Sequence, residues 1–197
     1  MTNTPNTFII AEAGVNHNGS IDLARSLVDA AVAAKADAVK FQSFVSSSIV
    51  TTSAIKAKYQ IDQTGSQESQ LEMLQRLELS HAQQRELFEY CKTNGIQFLS
   101  TPFDSQSLQF LVSDLKLSTI KIGSGELTSA PFLLEVARCT NRIILSTGMS
   151  TIDEIESTLG VIAFGMTTDE TSKPSTVAFK KALFSDAGRH ALNQRVT

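Results

Sequence analysis

Short apolar runs alternate with amphipathic stretches along most of this chain. FIIAEAG (8–14) reads as an apolar strand ending in glycine. IDLARSLVDAAVAAKA (21–36) places Leu23, Leu27, Ala30, Ala31 and Ala34 on one helical face, with Ser20 as N-cap. DAVKFQ (37–42) is a second strand. ELFEYCKTNG (86–95) is helical; Ser80 with Gln83 forms a capping box ahead of it, and Gly95 is its stop. IQFLSTP (96–102) is a third strand, followed by DSQSLQFLVSDL (104–115), a helix capped by Asp104. STIKIG (118–123) is a fourth strand, PFLLEVARC (131–139) a helix with Pro131 in its first turn, RIILSTG (142–148) a fifth strand and TIDEIESTLGVIAF (151–164) a helix opened by Thr151 and Glu154.

Strands and helices in this alternation predict parallel βαβ units. Residues 43–80 interrupt the rhythm with a Ser-, Thr- and Gln-rich excursion around the amphipathic ESQLEMLQRLEL, and an insertion of that size is more often functional than decorative. MTTDETSKPS (166–175) reads as a polar connection, and TVAFKKALFSDAGRHAL as one last helical piece. Arg195-Val196-Thr197 resembles the start of a sixth strand. Five βα units suit either a doubly wound, flavodoxin-like sheet or the first part of an eight-stranded barrel, which takes about 250 residues. The sixth-strand signal favours the barrel.

Composition narrows the function. The 197 residues are 42% hydrophobic and 19% charged with net charge −3, so no global basic field points to nucleic acid or to an anionic membrane. No apolar run reaches the ~20 residues of a membrane span, and MTNTPNT lacks the pattern of a secretory leader. Cys91 and Cys139 have no CxxC spacing and read as free core thiols in a reducing compartment, the cytoplasm.

The chemistry sits where strands end. In parallel α/β folds functional side chains gather at the C-terminal ends of strands. Those ends supply Glu12 through Asn16, Lys40 with Gln42, Ser100 with Thr101, Lys121 through Glu126, and Ser146 through Gly148. One lysine near a strand end reads as a structural salt bridge. Two of them, joined by Gly-Ser-Gly and Ser-Thr-Gly, read as a site for a phosphorylated or carboxylated small anion. Gly123, Gly125 and Gly148 would let backbone approach the ligand closely. An ammonium waiting for a dianion also explains why a core-like strand tolerates the cost of burying it. Glu12 and Glu126 could pair with the lysines at rest and move protons in turnover. Asn16-His17-Asn18-Gly19 reads as a turn, His81 and His190 as solvated, and the scattered Phe residues, Phe98 and Phe184 among them, as packing. No histidine spacing suits a metal, and no dinucleotide, triphosphate or hydrolase motif occurs.

FIIAEAGVNHNG, DAVKFQSF, ESQLEMLQRLELS, FLSTPFD, IKIGSGELTSAP and IILSTGMSTIDEIE, in this order, resemble the sialic acid synthase family. The resemblance covers nearly all of 8–165. It implies a TIM barrel condensing phosphoenolpyruvate with N-acetylmannosamine or a related N-acetylated hexose to a nonulosonic acid such as neuraminate or legionaminate. By the same resemblance, Lys40, Thr101, Lys121, Ser124, Ser146 and Gly148 bind phosphoenolpyruvate. Gln42 and Glu126 contact the sugar, and Glu12 and Glu126 are catalytic carboxylates. A divalent ion, manganese, and a homodimer are also implied. The chain is expected to be the N-terminal part of the barrel (1–197), with the later strands, the metal-binding histidines and an antifreeze-like domain lying outside it. Two further readings remain: a Schiff-base aldolase using Lys121 or Lys40, and a non-catalytic phosphoenolpyruvate-binding fragment.

Overall fold

The computed structural model describes residues 7–56, 61 and 68–197. Most of the MTNTPNT stretch and the middle of the 43–80 excursion lie outside the described residues. The chain divides into two compact units, one up to Ser100 and one from Thr101 to Thr197. Both are α/β with parallel strand pairs.

In the first unit, β1 (Ile10–Gly14), β2 (Ala38–Ser43) and β3 (Gln97–Pro102, which runs across the division) form a sheet in the order β1-β2-β3. β1 and β2 are parallel, with Ile10 opposite Ala38 and Glu12 opposite Lys40. A flavodoxin-like sheet would place β1 between β2 and β3. With β2 in the centre, that alternative is overturned; each strand is laid beside its predecessor, as in singly wound folds. β2 is buried along nearly its whole length as the central strand between β1 and β3, and α1 (Ile21–Ala33) and α4 (His81–Thr93) are the helices before and after it in sequence. Among the described residues of the excursion, α2 (Ser46–Ile49) and α3 (Gln70–Leu77) are short helices, and α3 carries a full Ser69–Glu72 capping box.

The face α1 buries differs from the expected one. Ala24, Val28 and Ala31 turn inward, whereas Leu23 is 48% exposed. Small residues at positions i, i+4 and i+7 let the helix lie close, and the larger leucine takes the flank. α1 is tied to α4 by the Arg25–Glu86 ion pair and a 2.8 Å bond from Tyr90 Oη to Asp29. The core stacks Phe41 on Phe98 at 5.7 Å, with Phe88 edge-on to Phe98 at 6.0 Å.

In the second unit, α5 (Ser105–Gln109) is capped by Asp104 and runs into a π-helical turn over Phe110–Asp114. β4 (Thr119–Ile122) and β5 (Arg142–Leu145) pair in parallel and bury Ile120, Ile122 and Ile143. α6 (Ala130–Cys139) and α7 (Ile152–Thr167) follow these two strands, α7 opening with the Thr151–Glu154 capping box. Val196 bridges Ile143 in parallel, and Thr197 exchanges backbone bonds of 3.0 and 2.8 Å with Ile143 and Leu145, so the expected sixth strand begins beside β5.

The last helical piece is two helices, α8 (Thr176–Phe184) and α9 (Asp186–Arg195), rather than one. Ser185 breaks it: its hydroxyl donates to Ala182 O at 2.8 Å and accepts from Gly188 N at 2.9 Å, ending one helix while capping the next. Phe184, at that break, is exposed rather than packed. The turn needs a glycine, since a Cβ on Gly188 would come within 1.9 Å of Ala182 O. Gly188→Ala should therefore cost about 1–3 kcal/mol in chemical denaturation. Gly125→Ala, where a Cβ meets nothing within 4 Å, should leave the midpoint nearly unchanged.

Candidate active site

In the first unit, register alone brings Glu12, Lys40 and Gln42 together. Glu12 and Lys40 are opposed across the β1–β2 pair, and Gln42 follows two residues on, so all three leave the same face of the sheet. Lys40 Nζ donates to Glu12 Oε2. The pair is lopsided, the lysine side chain being 11% exposed and the carboxylate 55%. The ammonium is the buried partner, and the carboxylate meets it from the wet side. A bulge between Glu12 and Gly14 puts Gly14 at φ +54°, and a Cβ there would stand 3.4 Å from Glu12 Oε1 and 3.8 Å from Gln42 Nε2. Gly14 thus leaves a gap between the acid and the amide.

The opposite face of β2 carries a buried polar knot. Ser43 donates to Gln84 Oε1 and lies 2.6 Å from Ser100 Oγ, while Gln84 Nε2 donates to Leu79 O at 2.8 Å. Ser100, expected to face a ligand beside Thr101, belongs to this knot instead. Strand alternation sends adjacent residues to opposite faces, and only one of the two hydroxyls can face the site.

In the second unit, glycines mark where polar groups crowd. A Cβ on Gly123 would be 3.7 Å from Lys121 Nζ and 4.0 Å from the Thr101 methyl, and one on Gly148 would be 3.8 Å from Ser124 Oγ. Lys121 and Thr101 therefore flank Gly123, and Ser124 flanks Gly148. Gly125 is open to solvent and makes no close approach, unlike the other two. Thr101 is 2% exposed, and its hydroxyl is buried with no hydrogen-bond partner among the described residues. Ser146 is held at the end of β5 by its N–H to Ile122 O at 3.0 Å. Ser124–Glu126 form a 3₁₀ turn, and burial pushes the Glu126 carboxyl above the usual carboxylate range. A hydroxyl without a partner among the described residues, an ammonium, a serine and Cβ-free backbone are groups suited to holding a small anion, and a carboxyl with a raised pKa is suited to holding or releasing a proton.

The profile of the NeuB family matches residues 27–181. The chain belongs to the NeuB family. It is similar to the N,N'-diacetyllegionaminic acid synthase of Campylobacter jejuni, 49% identical over 156 residues, which cover 79% of this chain and 46% of that protein. The synthase of the same name from Legionella pneumophila is 44% identical over 155 residues, 79% of this chain and 43% of that one. Among solved structures, the N-acetylneuraminic acid (sialic acid) synthetase from Leptospira borgpetersenii, in complex with citrate, superposes with a TM-score of 0.67. It is 29% identical, and the match covers 83% of this chain and 52% of that one. The chain thus spans less than half the length of these two curated relatives.

Thr158 is a residue that the sequence patterns did not single out. It is buried on α7, with its hydroxyl 2.8 Å from the carbonyl of Leu127, next to the Glu126 turn. A hydroxyl amid TLGVIAFG, an otherwise apolar inward stretch, was the available signal. Of the histidines, His190 is exposed as expected, His81 is half-buried rather than solvated, and His17 is 1% exposed. Cys91 and Cys139 are free, and burial lifts their thiols to about 12 and about 11, which makes both poor nucleophiles.

His17 Nδ1 accepts the Gly19 N–H at 3.0 Å, and burial lowers the imidazole's pKa below its ordinary 6.5. The folded protein therefore resists a proton that the unfolded chain takes up readily. Stability conferred by neutral His17 is complete above about pH 6.5 and declines as pH falls through and below that value. Denaturation midpoints measured from pH 7.5 to 5 should fall on the acid side. His17→Asn, whose amide oxygen can take the Gly19 N–H without titrating, should flatten that slope.

Proposed function

We propose that this chain carries the phosphoenolpyruvate-binding part of a nonulosonate synthase, one that condenses phosphoenolpyruvate with N-acetylmannosamine or a related N-acetylated hexose. The observation that carries the reading is Thr101: a buried hydroxyl with no partner among the described residues, at a glycine that Lys121 also flanks. A hydroxyl buried without a partner is costly unless a ligand completes it, and an oxyanion beside an ammonium does so. The names of the two bacterial relatives support the same chemistry.

In this reading Lys121, Thr101, Ser124 and Ser146, with the backbone freed at Gly148, hold the phosphate and carboxylate of phosphoenolpyruvate. Lys40 contributes the second ammonium, exchanging Glu12 for substrate. Gln42 and Glu126 contact the sugar. C3 of phosphoenolpyruvate attacks the open-chain aldehyde carbon, water adds at C2, and the tetrahedral intermediate expels phosphate by C–O cleavage. Glu12 and Glu126 move the protons these steps need. A divalent ion such as manganese would supply Lewis-acid polarisation of the aldehyde. Among the described residues no group of three or more His, Cys, Asp or Glu could hold it, and His17 Nδ1 is already occupied. The described residues do not fit that ion, and no step is assigned through it. A barrel begun by these strands, a homodimer and a cytoplasmic location belong to the same proposal; no helix among the described residues is long and apolar enough to cross a membrane.

Calorimetric titration with phosphoenolpyruvate at low salt tests the reading. The chain should bind, and Lys121→Ala should weaken binding by about ten- to a hundredfold, the worth of a charge-assisted contact. Equal binding by both proteins, or none by a folded wild type, would remove the site. The synthase chemistry forms no imine, so borohydride with pyruvate should leave the protein's mass unchanged; a trapped adduct on Lys121 or Lys40 would favour the aldolase instead.

A further inference from the structure

We propose that Thr158 is a positioning residue for the Ser124–Glu126 turn, holding it in place through the hydrogen bond from its hydroxyl to the Leu127 carbonyl. The role rests on the reading of that turn as part of the phosphoenolpyruvate and sugar site.

The turn is closed by three backbone bonds: Glu126 N to Gly123 O at 3.1 Å, Leu127 N to Ser124 O at 3.3 Å, and Ser129 N to Glu126 O at 2.9 Å. All three are local. They set the turn's shape but tie it to nothing else. The Thr158 hydroxyl, 2.8 Å from Leu127 O and thirty-one residues away in sequence, is a side-chain tie from α7. The same hydroxyl lies 2.8 Å from Glu154 O in its own helix, the usual refuge of a threonine within a helix. It has one proton for two carbonyls, so the helix supplies a fallback acceptor and Leu127 O competes for the proton.

The tie is useful only if its far end is fixed, and α7 is held closely on two sides. A Cβ on Gly165 would come within 2.7 Å of Ala137 Cβ on α6, and one on Gly160 within 3.0 Å of Phe179 O on α8. These glycines let three helices close to backbone distance, where sliding is blocked. Thr158 lies between the capped start of α7 and these contacts, and it is 1% exposed. The turn it steadies presents Ser124 Oγ toward Gly148 and keeps the Glu126 carboxyl partly out of water.

Thr158→Val keeps the side chain's shape and removes the bond, while Thr158→Ser keeps the bond and removes a methyl. Two readouts are needed on wild type and both variants: carboxyl titration of Glu126 by carbon NMR in the ligand-free protein, and phosphoenolpyruvate affinity. The valine variant should let Glu126 move toward water, so that it titrates at lower pH, closer to an ordinary carboxylate. Its affinity should fall by about three- to tenfold, the worth of one hydrogen bond. The serine variant should match wild type in both. Unchanged Glu126 titration in the valine variant overturns the proposal, as does a serine variant that behaves like valine. Should the valine variant not fold, wild-type amide exchange decides. Protection of Glu126, Leu127 and Ser129 comparable to α7 supports the tie, and exchange as fast as the exposed 169–175 connection overturns it. A wild type that binds no phosphoenolpyruvate would sink the functional reading alone, because the Glu126 comparison needs no ligand.

Discussion

An ammonium drawn out of water must be met by negative charge, and the first unit is arranged around that requirement at Lys40. Its side chain is 11% exposed on the central strand of a sheet, and the carboxylate that meets it comes from the neighbouring strand. A parallel pairing one residue out of register would send Glu12 and Lys40 to opposite faces and leave a buried charge alone, which costs several kcal/mol. The ion pair therefore discriminates against slipped pairings as well as marking the candidate site. The bulge that follows at Gly14 and the Ser43–Ser100–Gln84 knot behind β2 follow from the same geometry. One relieves the strand just past the pair; the other satisfies the hydroxyls that alternation turns inward.

The second unit solves a different problem, holding a short polar turn in a defined place. Its strands are only four residues each, and their buried isoleucines do little beyond anchoring the ends where Lys121 and Ser146 emerge. Precision comes from the helices. α7 is pressed against α6 and α8 at glycine positions, and the Thr158 hydroxyl links it to the Leu127 carbonyl of the loop. Glycine has two uses in this unit. At Gly160, Gly165 and Gly188 it lets protein approach protein; at Gly123 and Gly148 it keeps the space around a lysine and a serine clear.

Much of this was readable in the residues because the signals are local. The Ser20, Ser80, Asp104 and Thr151 caps act within one turn of chain, and all four make their side-chain bonds. Strand positions followed from β-branched runs, and the sixth-strand start at Val196 from the same pattern. The exposure of Leu23 is not legible in the sequence because a helical stripe several residues wide admits two rotations, and only the close fit of Ala24, Val28 and Ala31 selects one. The break at Ser185 is not legible there either, because a serine in a helical pattern is ambiguous until its hydroxyl is seen capping Gly188 N.

The sequence by itself determined the alternation of strands and helices, the family, and the residue types available at the strand ends, since periodicity, caps and motifs are properties of neighbours along the chain. The tertiary structure decided what those residues face: that Glu12 meets Lys40, that Ser100 turns into a polar knot while the Thr101 hydroxyl has no partner among the described residues, and that Thr158 reaches Leu127 from thirty-one residues away. Register, helix rotation and burial set these outcomes, and each depends on which distant segment packs against which.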